Sequence, residues 1–262
     1  MHALTVIGTY LKLGILNVMQ YRADFYLQLL SIAIGLTTAL LGLQVVFNQT
    51  TEIGGWGQTD LIALIGIQML VRGLISLVIR PSMGLLMEGI RLGTLDFMLT
   101  KPADSQLLAS VAQVNVAATA DVAAGGIVLG IALSRLGATI GATEAVAFVI
   151  VLAAGLVIIY SFLLLLSTCA FWFVRLDNIM VIFNTMFETA GGWPITIFPG
   201  WLRMPLTFIV PVAFAVTVPA QSLTGRLSPA VALGAVALAM AFAAFARWFW
   251  RFGLRHYTGA SA

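Results

Sequence analysis

Residues 145–171 read AVAFVIVLAAGLVIIYSFLLLLSTCAF, with no charged side chain from Ala145 to Phe171. A helix that crosses a bilayer needs such a run, because about 20 residues at 1.5 Å each cover the ~30 Å hydrocarbon layer. The rest of the chain repeats the pattern. Its 262 residues are 61% apolar and 9% charged, with mean hydropathy +1.04. Soluble domains are about 45–50% apolar and roughly 25% charged. So few charges cannot coat a soluble surface of this size. The chain therefore reads as an all-α integral membrane protein, a single transmembrane domain over 1–262 with six transmembrane helices.

The spans fall at about 27–47, 61–79, 107–133, 145–171, a fifth that begins near residue 178 and passes Glu188, and 230–250. Residues 1–24 mix apolar positions with Lys12, Asn17, Gln20 and Arg22, the pattern of a helix lying in the interface plane. The first 25 residues hold no apolar run followed by a small-residue cleavage site, so no cleaved signal is expected. Gly54 and Gly55 predict a turn after the first span, with Trp56 at the headgroups and Thr59 or Asp60 capping the next helix. Residues 191–229 contain Pro194, Pro199, Pro205, Pro211, Pro219 and Pro229. One regular helix cannot hold so many prolines, yet the stretch stays apolar. It reads as a re-entrant segment between spans five and six, which is tolerated at membrane depth only under cover of protein or beside a water-filled cavity.

The basic residues give the orientation. With six spans, one side collects Lys12, Arg22, Arg80, Arg91, Lys101, Arg175, Arg247, Arg251 and Arg255, against Arg135, Arg203 and Arg226 on the other. The positive-inside bias places both termini in the cytoplasm. The same dispersal of charge argues against nucleic acid as a partner. Cys169 is a lone cysteine, and His2 and His256 lie at opposite ends of the chain, so no metal site is expected. The loop 80–105 is then cytoplasmic. Within it Met83, Leu86, Met87 and Ile90 form one apolar stripe at helical spacing, with Glu88 and Arg91 off it. Gly93 is placed to end that helix, and Leu95, Phe97 and Leu99 alternate as an extended strand would. A helix of this kind suits either a groove on a soluble partner or the headgroup layer, and periodicity leaves both open.

Four ordered stretches carry a resemblance: YRADF at 21–25, MLVRGLISLVIRP at 69–81, RLGTLDFMLTKP at 91–102, and GGWPITIFPGWLRMPLTFIVPVAF from 191, running on to VPA at 218–220. The chain resembles a permease subunit of ABC transporters of the type-2 export class, in the branch with the LDF…KP loop. This chain has Thr94 and Gly192 where the branch carries a charged and a basic residue. The resemblance implies that residues 83–92 are the coupling helix entering an ATPase cleft, with Glu88 and Arg91 in polar contact. Asp96 and Lys101 would brace the loop, and 1–24 would be the connecting helix. Pro194, Pro199, Pro205, Pro211 and Pro219 would build an extracellular hairpin over the exit. It further implies a bacterial inner (plasma) membrane, two ATPase subunits, and a second permease, as a heterodimer more often than a homodimer.

Nucleotide binding belongs elsewhere by an independent argument. A phosphate-binding loop needs Gly-Lys-Ser/Thr. The two lysines here stand in Leu11-Lys12-Leu13 and Thr100-Lys101-Pro102. The chain is therefore expected to hold no cofactor and no catalytic residue, with ATP and magnesium in a partner ATPase. HExxH and GxSxG are absent from it too.

Three charges lie within the spans. Arg72 is about 12 Å from the end of its helix and is open to a gating pair with Asp24, Asp96 or Asp177, or to a tether at the interface. Asp121 is open to a place on the transport pathway or to an arginine of a partner. Glu188, expected near the outer end of span five, is matched with Arg203. Gly125-Gly126 and Gly191-Gly192 suit close helix packing. The leading expectation is the membrane subunit of an ATP-driven exporter of an amphiphilic or lipid-like cargo. The alternatives are an ion-coupled secondary carrier working through Arg72 and Asp121, or a non-transporting membrane scaffold.

Overall fold

A computed structural model of the chain describes residues 22–136, 141–173, 177–208 and 210–257. The described residues are helical, apart from turns and one isolated backbone pairing of Ile53 with Trp56. Helix α1 (Arg22–Phe47) is followed by α2 (Gln58–Leu74), a π-helical turn at Ile75–Ile79 and α3 (Arg80–Arg91), which continue one another. Short helices α4 (Asp96–Leu99) and α5 (Ser105–Ser110) lead to α6 (Thr119–Leu136), α7 (Ala142–Thr168) and α8 (Asp177–Gly191). Then come α9 (Gly200–Phe208), a second π turn at Ala213–Thr217, α10 (Val218–Leu223) and α11 (Pro229–Leu254).

Among the described residues, five helices are long and apolar enough to cross a membrane: Phe25–Phe47, Gln58–Arg91, Val116–Arg135, Ala142–Phe171 and Pro229–Leu254. A sixth crossing is reached only if Gly200–Phe208 and Ala213–Leu223, which meet at 79°, count as one broken span. The expected fifth span is α8, whose 15 residues reach about 22 Å, short of the hydrocarbon thickness. The third span begins at Val116 and not near residue 107, because residues 111–115 leave the helix after α5. Many large apolar side chains face outward, among them Leu30, Ile127, Val149, Leu233 and Met240. Outward apolar surface of that extent needs lipid or protein around it. The interfacial helix expected at 1–24 lies outside the described residues, except for the first turn of α1.

Both π turns stand two residues before a proline, Pro81 and Pro219. A proline inside a helix offers no N–H and crowds the carbonyl four residues back, and the local widening relieves that crowding. At Pro81 the freed carbonyl is that of Leu77, and the Asn115 amide donates to it at 2.8 Å. Beside it, the Ser82 hydroxyl donates to the Gln113 carbonyl at 3.0 Å. The break in the long helix thus becomes the dock for the chain entering α6.

Glycine sets the closest packing. A Cβ on Gly66 would lie 2.7 Å from the Leu129 amide, and one on Gly73 would lie 2.7 Å from the Val122 amide. On α6, a Cβ on Gly125 would strike the Leu70 amide and lie 2.8 Å from the Gly66 carbonyl. Three glycines therefore let α2 and α6 approach backbone to backbone, as small residues do in membranes. Gly126 has open space around it and takes no part. Gly125→Leu should force the two helices apart at a cost of roughly 1–3 kcal/mol. The variant should unfold at lower temperature in detergent than Gly126→Leu, which changes the neighbouring residue on an open face. Against α7, α11 lays the small residues Ala235, Ala239 and Gly253.

Candidate functional site

The charged residues from Glu88 to Asp104 gather with Arg247, Arg251 and Arg255 at one end of the helices, called here the basic end. Asp60, Trp56 and Arg226 lie at the far end. Between them, a cavity of about 600 Å³ is bounded by α1, the α2–α3 helix, the start of α6 and α8. Its polar groups come from α1 (Gln28), α2–α3 (Gln68, Arg72, Arg80), α6 (Asp121) and α8 (Glu188).

Arg72 pairs with Asp121 at 2.5 Å, and Gln28 Nε2 donates to the other carboxylate oxygen at 2.6 Å. The Asp121 side chain is only 3% exposed, so these donors replace the water it has lost. Arg72 therefore finds its counter-ion on α6, and not on Asp96. Asp24 and Asp177, the other candidates, have side chains outside the described residues. Asp121, read as open to a partner's arginine, is satisfied within its own chain.

Glu188 is also corrected. It lies 3.7 Å from Arg80, while the Gln68 amide group donates to its backbone carbonyl at 2.9 Å. Because α8 ends beside Gln68, this carboxylate sits within the bundle and not at its far end. Arg203 donates instead to the carbonyls of Thr196 and Phe198. The contrast between the two pairs matters: Arg72–Asp121 is short and closed, whereas Arg80–Glu188 is long. The Arg80 Nε is buried without a hydrogen-bond partner.

At the far end, Arg226 pairs with Asp60 at 2.6 Å and lies 4.8 Å over the Trp56 ring. Trp56 Nε1 donates to Thr196 in the proline-rich stretch at 3.2 Å. Trp56 is 2% exposed, so it is a buried strut and not a headgroup anchor. The turn that carries it uses Gly54 and Gly55 at φ 59° and 81°, backbone that a side chain rarely adopts. Asp60 does serve the helix start, accepting from the Gly57 amide. Of the prolines, Pro194 and Pro199 flank the short turn Ile195–Ile197, and Pro205 lies inside α9. Pro211 falls in the 79° break, and Pro219 opens α10.

At the basic end, the apolar stripe of the sequence is turned inward. Met83, Leu86 and Met87 are buried in the chain's own core and Ile90 is half-buried, so a partner cannot reach most of that stripe. The same helix exposes Leu85, Glu88, Arg91 and Leu92. Gly93, at φ 71°, then reverses the chain. Residues 96–99 form a helical turn and not an extended segment, with Leu99 N–H donating to Leu95 C=O and Thr100 N–H to Asp96 C=O. An alternation so short does not distinguish strand from helical turn. The turn leaves Phe97 76% exposed above a hollow of about 230 Å³ lined by Leu85, Gly89, Met98 and Lys101. Asp96 lies half-buried near Tyr257, whose hydroxyl is pushed up first by burial and then by the Asp96 charge.

Ionic and polar contacts hold this end to α11. Arg247 pairs with Asp104 and donates to Gln106 Oε1 at 2.9 Å, and Trp250 Nε1 donates to Ser105 at 3.2 Å. The Arg247 hydrogen bond, aided by the Leu107 amide, holds the Asp104 carboxyl below the usual carboxylate range. A carboxyl lowered by folding stabilises above its unfolded value and loses that contribution as pH falls through its folded value. Asp104→Asn should therefore cost at most about 1 kcal/mol at pH 7, since the pair is exposed. The melting difference from the parent chain should close as pH falls below the ordinary aspartate range.

The sequence alone does not single out Arg80, Gln28, or the pairs Asp60–Arg226 and Asp104–Arg247. For Arg80 the available signal is its neighbour Pro81, which widens the helix into a π turn just before it.

A family model described as ABC-2 family transporter protein matches residues 33–261. No curated protein matches the chain, and no solved structure does.

Proposed function

This chain belongs to the ABC-2 family of transporter proteins, a multi-pass membrane permease whose family works with an ATPase subunit, and from that premise we propose that it exports an amphiphilic cargo. Under this reading the distribution of lysine and arginine puts both termini and the basic end in the cytoplasm, and the family resemblance puts the chain in a bacterial inner membrane. ATP and magnesium act in the separate ATPase, because neither lysine here stands in a phosphate-binding loop.

One observation carries the coupling: Phe97, Leu85, Leu92 and Leu99 are exposed together with Glu88, Arg91 and Lys101 on a surface that its own core and α11 hold in place. Apolar anchors ringed by charges make a docking surface. The ATPase seats there, with Phe97 as the anchor and Glu88 and Arg91 in polar contact, while the inward Met83, Leu86 and Met87 transmit the motion. The pathway to be opened runs past Arg72 and Asp121. The cluster of Trp56, Asp60, Arg226 and Thr196 holds the proline-rich segment as a lid over the exit. A second permease covers the outward faces of α1 and α8, as a heterodimer in this reading.

Pull-down of the tagged chain from mildly solubilised membranes tests this. A stoichiometric ATPase should copurify and should be lost in the folded Leu85→Asp/Phe97→Asp variant. A parent chain that purifies without an ATPase would sink the reading and leave the ion-coupled carrier standing.

A further inference from the structure

The cavity between α1, α2–α3, α6 and α8 is graded along its length. On α2–α3 it passes from Arg80 through Ser76, Arg72 and Gln68, whose amide is spent on the Glu188 carbonyl, to Ile65, and on α1 from Gln28 and Ser31 to Leu36 and Ala39. Because Gln28 and Arg72 meet at Asp121, both walls change in register from polar near the basic end to apolar toward the far end. The gradient runs for about 16 Å along α1 at 1.5 Å per residue. That is the profile of an amphiphile with its head toward the basic end.

The charges choose the head. Arg72 and Asp121 are satisfied by each other and by Gln28. The loose pair is Arg80 and Glu188, 3.7 Å apart with side chains 31% and 49% exposed, and Arg80 Nε has no acceptor. An anion alone on Arg80 would lie against the Glu188 carboxylate 3.7 Å away, a like-charge contact that opposes its binding. A cation alone on Glu188 would meet the Arg80 guanidinium in the same way. A head carrying both charges inserts between the two and satisfies each.

We propose that this cavity binds a zwitterionic amphiphile, its phosphate or carboxylate on Arg80, its ammonium on Glu188, and its chain along Ile65, Leu36 and Ala39. The proposal rests on the permease reading for its purpose but concerns binding by this chain. The guanidinium offers two donors in a fork that fits an oxyanion, which a lysine would meet only as a point charge. Glu188 receives the ammonium from the opposite wall, so head length selects the ligand.

The test is native mass spectrometry of the full chain in a neutral detergent, titrated with lysophosphatidylethanolamine. Lysophosphatidylglycerol, monoacylglycerol of the same chain length and free phosphoethanolamine are run beside it. Lysophosphatidylethanolamine should bind best. Arg80→Gln and Glu188→Gln should each weaken it about tenfold, the loss of one charge-assisted hydrogen bond. Arg80→Lys should recover part of the binding. Ser76→Leu, which fills the cavity without touching a charge, should abolish it in a protein that still elutes as a single folded species. Equal binding of lysophosphatidylglycerol with an indifferent Glu188→Gln would overturn the zwitterion, and equal binding of monoacylglycerol would overturn the head site. Phosphoethanolamine competing as well as the lipid would overturn the amphiphile. Any of these results leaves ATPase copurification untouched, whereas loss of that copurification leaves the titration standing.

Discussion

Asp121→Ala should lower the thermal stability of the chain in detergent more than any other single change at the cavity. The substitution removes the counter-ion of Arg72 and the acceptor of Gln28 together. A buried pair broken on one side costs about 3–5 kcal/mol, because the remaining charge stays out of water without a partner. Arg72 is 31% exposed, so the loss should fall toward the lower part of that range. The decisive comparison is the double variant Arg72→Leu/Asp121→Leu, which leaves no charge stranded. Its melting temperature should return near that of the parent, as replacement of buried pairs by apolar residues commonly allows. A double variant as unstable as Asp121→Ala would mean that the carboxylate acts through helix packing and not through its charge.

Arg226→Ala should have the second large effect, at the far end. Asp60 is 11% exposed at its side chain and depends on Arg226 and the Gly57 amide. The same guanidinium covers the Trp56 ring, a cation–π contact of about 0.5–2 kcal/mol. Removing it strands a carboxylate and uncovers the indole that holds Thr196. The expected cost is roughly 2–4 kcal/mol, discounted because Arg226 is 37% exposed. Asp60→Asn added to Arg226→Ala should return a large part of it. Protease cleavage between residues 194 and 211 should rise in Arg226→Ala and fall back in the double variant. Unchanged cleavage would separate this cluster from the proline-rich segment.

How far the sequence could be read follows from which physical constraint is local. Bilayer thickness acts on each segment alone, so the apolar run at 145–171 announced its helix without help from elsewhere. Proline acts locally too, so residues 191–229 are legible as a broken segment, and α9 meets its successor at 79°. The partners of the membrane charges were not legible. Arg72 and Asp121 sit 49 residues apart, and Asp60 and Arg226 sit 166 apart, on helices whose facing depends on the whole bundle.

The stripe Met83, Leu86, Met87 illustrates a different limit. Periodicity shows that a helix has an apolar face but not what covers it, and a partner's cleft and the chain's own core demand the same residues. The core takes these three and leaves Phe97 exposed on a helical turn, which the alternation of 95–99 does not reveal. Span five is legible in its bounds but not in its reach: residues 177–191 do form α8, and its 15 residues cover about 22 Å, less than the hydrocarbon layer.

The proposed coupling rests on an ATPase docking on the surface built from residues 85–101. A photo-crosslinking residue in place of Phe97, activated in intact membranes, probes that contact, with the same group in place of the exposed Leu233 at the opposite end of α11 as the comparison. Docking there should give a crosslink from position 97 to an ATPase subunit and none from position 233. A position 97 that labels only lipid, while the protein remains folded and assembled, would contradict it.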